Sequence, residues 1–331
     1  MAFFGQTHQN FAKDLSEVCD NPNFDIITLA FITNLNPPKL NMAKDTSQPS
    51  EAQTKAGFPE LMDGTFTPDG KQSVADQIKG CQGKGKKIML SFGGDERFSN
   101  ATFDSADEAK SAADNAWNLY FGGTEMQDIR PFGKDLILDG LDLDNENEKG
   151  TFYNEFVTEV RSKMDSDSSR EYLISANPMA GVLSREEDFI PRSVFSMLDF
   201  ISVQFYNNPD QGIGGSKFEE TIKAWAGVVA DAKRPKLFLG IPGPFKDEGN
   251  GGAAGSNIQS ADQIKTTIES VKGMNLPGFG GVGIWDAAYA MGDEKFPLAV
   301  KTGLGAAEEV APVGKALTDS IKRGIFGRGL W

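Results

Sequence analysis

The sequence predicts an α/β fold, a (β/α)8 TIM barrel forming a single domain. Two observations carry this: eight short, mostly apolar segments alternate with helix-like segments, and polar and aromatic residues collect at the C-terminal ends of the apolar ones. The strand candidates are residues 2–6, 25–32, 87–94, 136–144, 172–178, 200–207, 236–243 and 281–287. Helical periodicity marks 10–19, 72–82, 104–120, 151–165, 217–232 and 260–272, with only a short helical turn near 192–197 between strands five and six. Alternation of this kind implies parallel pairing, and eight repeats close into a barrel.

Strand four, within "LILDGLDLDNENEKG" (136–150), carries acidic residues in an apolar setting. Period-two geometry puts Asp142, Asp144 and Glu146 on one face, about 6.6 Å apart per step of two residues, while Asp139 has the opposite parity and points elsewhere. Carboxyl groups so close cannot all ionise cheaply, so at least one should hold a proton near neutral pH, as a general acid requires. The bland alternative is a strand end bearing solvated carboxylates. Against it stand the other strand ends: Ser91, Gly93 and Gly94 on strand three, Asn177 on five, Gln204, Tyr206 and Asn207 on six, Trp285 and Asp286 on eight. In a barrel these converge on one rim. Two long loops, 33–70 and 242–257, join that rim as candidate cleft walls. Trp117 and Trp225, on helices, read as core; Trp285 reads either as a cap on the barrel or as a flat face for a sugar ring.

Composition narrows the chemistry. A net charge of −14 opposes nucleic-acid or anionic-membrane partners, and no apolar run is long enough for a membrane span. A single histidine, His8, leaves no multi-histidine zinc site and no obvious Ser-His-Asp triad. No metal or cofactor is expected. Cys19 and Cys81 lack metal-ligand spacing and are either two free thiols or one long-range disulfide. "MAFFGQ" is too short for a signal-peptide core, which fits a start placed on a mature secreted chain or an intracellular protein. A sequon stands at Asn100–Thr102. The barrel should span 1–303, followed by a tail, 304–331, of unknown role and locally basic character. A carboxyl-rich cleft with tyrosine, amides and tryptophan suits acid-catalysed cleavage of a neutral polymer, glycoside hydrolysis above all.

These motifs bear a specific resemblance. "DGLDLDNE" resembles the DGxDxDxE signature of family 18 glycoside hydrolases and "LSFGG" their SxGG motif. "VQFYNNP", "GVGIW" and "RPFGKDLILDGLDLDNE" are similar to segments of the plant and fungal class III, hevamine-like chitinases. The resemblance covers residues 2 to about 303. It implies an endo-acting, retaining chitinase in which the substrate's own N-acetyl carbonyl attacks the anomeric carbon. Glu146 would be the general acid, Asp144 would orient the acetamido group and stabilise the cation, and Asp142 would share a proton with Asp144. Tyr206 would donate to the acetamido carbonyl. Gln204, Asn207, Gly93, Gly94 and Phe4 would contact sugar, and Trp285 would floor the subsite at the scissile bond. It further implies a Cys19–Cys81 disulfide, a secreted monomer, and chitin or chito-oligosaccharides as partners. The chain departs from the group in carrying Phe3 and Phe4 where a tyrosine and tryptophan are usual, so a hydroxyl at the cleft floor is missing. It also has Asn145 where an apolar residue is common, which should face outward and be tolerated. The alternatives are an endo-β-N-acetylglucosaminidase acting on N-glycans and a catalytically silent chitin-binding or inhibitory barrel.

Overall fold

The structure, a computed structural model, describes residues 1–6, 14–42, 48–67, 71–245 and 256–305. His8, residues 43–47 and 68–70 of the first long loop, residues 246–255 of the second and the tail from residue 306 lie outside the described residues. The strands are β1 (Ala2–Phe4), β2 (Ile26–Leu35), β3 (Pro38–Leu40), β4 (Lys87–Gly94), β5 (Gly140–Asn145), β6 (Leu173–Ala176), β7 (Phe200–Gln204), β8 (Lys236–Pro242) and β9 (Phe279–Trp285). All but β3 run parallel, and the ring closes where β1 pairs with both β2 and β9. β3 is an antiparallel addition to β2 inside the first long loop.

The helices are α1 (Leu15–Asp20), α2 (Glu51–Lys55), α3 (Val74–Gly83), α4 (Ala106–Tyr120), α5 (Tyr153–Ser166), α6 (Phe218–Asp231), α7 (Ala261–Gly273), α8 (Ala287–Gly292) and α9 (Lys295–Gly303). Their starts follow capping chemistry: Ser73, Ser105 and Ser260 accept from the backbone N–H three residues on. In α7 the buried Ile264, Ile268 and Val271 lie at helical spacing, so one stripe packs inward. The expected turn between β6 and β7 is a 3₁₀ helix over Arg192–Met197. Cys19 on α1 and Cys81 on α3 form a disulfide with their Cα atoms 5.4 Å apart. Trp225 is fully buried and donates to the Ala180 carbonyl at 3.0 Å. Among the described residues no helix is long and apolar enough to cross a membrane.

Strand β5 starts four residues later than its apolar run suggests. Leu136 and Leu138 are buried, but carbonyls of this approach are taken by side chains: the Arg130 guanidinium binds those of Lys134 and Leu136 at 3.2 and 3.3 Å. Asp139 points away from the other acids, as its parity requires. It accepts from the Ile88 N–H and Gln82 Nε2, both at 2.9 Å, and pairs with Lys87 at 3.2 Å. At the same end of the barrel Asp199 is buried between Arg161, at 2.7 Å, and Arg234, at 2.9 Å. The lower lumen is filled by Ile26, Met89, Phe200 and Phe238, the two phenyl rings stacked 4.6 Å apart. The barrel is therefore a packed core with its opening at the strands' C-terminal ends.

Candidate active site

The apolar layer sets the electrostatics of everything above it. Asp142, fully buried, accepts from Ser91 Oγ at 2.7 Å, from Asn177 Nδ2 at 2.5 Å and from the Ser175 hydroxyl. Burial pushes its carboxyl up from the usual range, and those hydrogen bonds pull it partly back. Asp144, 5% exposed, accepts from Gln204 Nε2 at 3.0 Å. Burial holds it well above the ordinary carboxylate range, reinforced by Glu146 and then Asp142. Glu146 lies nearest solvent of the three and accepts from the same Gln204 nitrogen at 3.3 Å. Burial is the main cause of its upward shift, with Asp95 and Glu96 adding to it, while Gln204 and Arg97 act against it. The three carboxyls form the group that the period-two spacing predicts, with Gln204 Nε2 bridging Asp144 and Glu146. Ser175 joins it unanticipated, although its parity with Asn177 in "YLISANP" was the available signal.

Backbone proximity fixes this cluster. Gly93 pairs with Asp144 and Gly94 with Asn145. Gly93 has φ +122°, and a Cβ there would stand 2.1 Å from the Asp144 carbonyl oxygen. Gly94 has φ +87°, and its Cβ would meet the Phe31 ring at 2.9 Å. Both glycines are therefore needed for close approach at the rim. Asn145 faces away from the lumen, as expected, yet it is buried and its amide donates to the Phe189 carbonyl at 2.7 Å and the Lys149 carbonyl at 3.2 Å. Its Oδ1 also accepts from the Asn147 N–H at 2.9 Å, so the expectation of tolerance is corrected: outward in a barrel means into the helix layer, not into water.

An aromatic floor lies across the lumen from Glu146. Trp285 stacks on Phe31 with centroids 5.7 Å apart and meets Phe3 at 5.2 Å. The expectation that Phe4 reaches the cleft is also corrected. Phe4 pairs with Leu29 and packs in the main outer core, whereas Phe3 shares the lumen cluster with Ala30, Phe31 and Trp285. The peptide bonds Ala30–Phe31 and Trp285–Asp286 are cis. The Tyr206 phenol, two residues past the end of β7, is held well above its ordinary range, by burial first and then by the charges of Asp144, Glu146, Asp142 and Asp286. Asn207 follows in the left-handed region at φ 56° and is exposed. Asp286, buried, caps α8 by accepting from the Ala288 and Tyr289 N–H groups at 3.0 and 3.1 Å. Among the described residues no group of three or more His, Cys, Asp and Glu side chains is arranged to hold a metal ion.

Comparison with known proteins agrees with this architecture. The profile described as glycosyl hydrolases family 18 matches residues 1–267. Endochitinase 3 of Metarhizium anisopliae is 34% identical over 289 residues, which cover 86% of this chain and 90% of the relative. Chitinase 1 of Rhizopus niveus is 33% identical over 309 residues, covering 89% of this chain and 55% of the relative. Among solved structures, the ICChI chitinase from Ipomoea carnea superposes with a TM-score of 0.69 at 25% identity, covering 91% of this chain and 98% of that one. A xylanase and alpha-amylase inhibitor protein from Scadoxus multiflorus superposes with a TM-score of 0.70 at 23% identity, covering 92% of this chain and 97% of that one, a likeness of fold alone. With the profile spanning most of the barrel and a relative matched along nearly its whole length, the chain belongs to family 18 of the glycosyl hydrolases.

Proposed function

We propose that this chain is an endo-acting chitinase, hydrolysing β-1,4 bonds between N-acetylglucosamine units with retention of configuration. The observation that carries this reading is Glu146: a carboxyl biased toward its protonated form at the mouth of a buried acidic column, facing a lumen floored by Trp285. Relatives named endochitinase support the substrate class.

Glu146 gives its proton to the glycosidic oxygen as that bond breaks. The substrate's acetamido carbonyl oxygen closes on the anomeric carbon, so the positive charge forms as a cyclic oxazolinium ion. Asp144 orients the acetamido group and faces that charge, with Asp142 taking a share of its proton as it turns from Gln204. The Tyr206 hydroxyl donates to the acetamido carbonyl, and Gln204, Asn207 and the Gly93–Gly94 backbone line the sugar. Water then attacks the anomeric carbon from the face the leaving group vacated, losing a proton to the Glu146 carboxylate as the bond from that carbon to the acetamido oxygen breaks and the acetamide re-forms. Residues 1–303 constitute the catalytic barrel in this reading, acting as a secreted monomer.

The test is product analysis by mass spectrometry on N-acetylglucosamine hexamer, wild type beside Glu146→Gln. Dimers and trimers should come from the wild type, and turnover by the variant should fall by at least about 10²–10⁴-fold, the usual contribution of a general acid, with hexamer binding retained. Full activity in Glu146→Gln would sink the assignment.

A further inference from the structure

The residue after β6 touches both ends of the acidic column. Asn177 is 4% exposed and stands between Ala176, the last residue of the strand, and Pro178. Its main chain is fixed from two sides. The N–H donates to the Leu143 carbonyl at 2.9 Å, and the carbonyl accepts at 2.9 Å from Gln204 Nε2, the same nitrogen that reaches Asp144 and Glu146. Its side chain serves the other end, where Nδ2 donates to Asp142 Oδ2 at 2.5 Å.

Asp142 accepts three side-chain hydrogen bonds, and they differ in kind. Ser91 Oγ lies 2.7 Å from Oδ2, and the Ser175 hydroxyl bonds Oδ1. A hydroxyl can rotate and accept once the carboxyl takes up a proton, whereas an amide nitrogen carries two hydrogens and only donates. Turning the Asn177 amide over would set its oxygen against Oδ2 and leave the nitrogen without its partner. As it stands, Oδ1 of Asn177 is the atom with no partner among the described residues, and a bare buried oxygen is tolerated more often than a bare buried N–H. A donor that cannot reverse favours the ionised carboxyl and keeps a proton off Oδ2. A proton arriving at Asp142 is thereby directed to Oδ1, where the Ser175 hydroxyl can turn to accept it.

We propose that Asn177 is a positioning residue for the proton of the acidic column, its amide holding Asp142 open as an acceptor and steering the incoming proton to Oδ1. The assignment rests on the chitinase reading above, in which Asp142 takes a share of the Asp144 proton. The titratable groups around Asp142 are Asp144 and Glu146 farther along the chain from it and Tyr206 past β7, with Asp286 acting in turn on Tyr206. The flanking strands β4 and β6 pair Ser91 and Ser175 with it, and Lys87 of β4 is engaged by Asp139 on the far side.

The test compares wild type, Asn177→Ala and Asn177→Asp in hexamer turnover across pH, with thermal melts over the same range. Losing the donor raises the proton affinity of Asp142. The acid limb of the kcat profile for Asn177→Ala should therefore move to higher pH by about 1, a loss of about tenfold in kcat at a fixed pH on that limb, with KM little changed. Asn177→Asp keeps the shape of asparagine but sets a second negative charge beside Asp142 when ionised, so at neutral pH it should be slower than Asn177→Ala. An unmoved limb would overturn the assignment. A limb moving to lower pH would do the same, because the amide would then be accepting from a protonated Asp142. So would Asn177→Asp outpacing Asn177→Ala at neutral pH, the order expected of a side chain that only fills space. The melts need no substrate: the stability gap between wild type and Asn177→Ala should be smallest at acid pH, where Asp142 is protonated in both, and widen as pH rises above the ordinary aspartate value of about 3.9. A gap of constant size would overturn the assignment. Wild type inert on hexamer with a widening gap would overturn the chitinase reading and leave the hold of the amide on Asp142 standing.

Discussion

Replacing Gly93 by alanine should cripple turnover while leaving a folded barrel. The new Cβ would lie 2.1 Å from the Asp144 carbonyl oxygen and 2.6 Å from its carbonyl carbon, closer than the 3.0 Å below which real Cβ atoms essentially never approach. Moving the nearer contact out to 3.0 Å requires about 0.9 Å of displacement. Both obstructing atoms are backbone, so no rotamer change relieves them and β5 itself must retreat. The Gln204 contacts to Asp144 and Glu146, now 3.0 and 3.3 Å, would then lose their present geometry. A misplacement of about 1 Å at reacting groups costs on the order of 10²-fold in rate. The backbone at φ +122° adds strain of about 1–3 kcal/mol for alanine. The assay is hexamer turnover with a thermal melt in parallel: kcat should fall by about 10² and the melting temperature by a few degrees. Gly80→Ala on α3, where nothing lies within 4 Å, serves as the neutral control. A folded Gly93→Ala enzyme with kcat within about twofold of wild type would refute the reasoning.

Two further outcomes follow from the charge distribution. Asp144 is held above its ordinary range in the folded state, so its unfavourable ionisation is absent at acid pH and grows as pH rises above the ordinary aspartate value of about 3.9. Asp144→Asn should therefore melt higher than wild type at pH 7, with the gap closing toward about pH 4; a gap independent of pH would contradict the burial argument. Asp95 disfavours the ionised form of Glu146 and its partner Arg97 favours it, so Asp95→Asn should move the alkaline limb of the kcat/KM profile to lower pH. Because the Asp95–Arg97 pair is largely exposed, that displacement should shrink at 1 M salt, and a limb moving to higher pH would show the sign to be wrong.

The barrel was legible because parallel strands flanked by helices leave nearly continuous apolar runs, and β2, β4, β7 and β8 fall where those runs stand. The acidic column was legible because one period-two rule assigns Asp142, Asp144 and Glu146 to the lumen and Asp139 to the far side. That rule failed where both faces of a strand are buried. In "AFF" every residue is buried, so parity alone leaves Phe3 and Phe4 equivalent, and only the pairing of Phe3 with Thr28 beside Trp285 separates them. Asn145 was misjudged for a related reason: direction was right, but the medium on the outside of the strand is packed protein. β3 was illegible because a three-residue strand opening on Pro38 has no period to read. Asn147 was not singled out, since its hydrogen bonds to the Ser99 carbonyl and the Ala101 N–H reach a loop some fifty residues earlier.

The apolar plug of Ile26, Met89, Phe200 and Phe238 has a consequence for the traffic of protons. None of those four side chains carries a hydroxyl, amide or charged group, so none of them can pass a proton downward from Asp142. Its contacts lead sideways, to Ser91, Ser175 and Asn177, and otherwise toward Asp144. On the proposed reading, a sugar over the mouth would cover the column's other end. The proton that Asp142 and Asp144 hold between them as substrate seats would then exchange with solvent more slowly until the product departs.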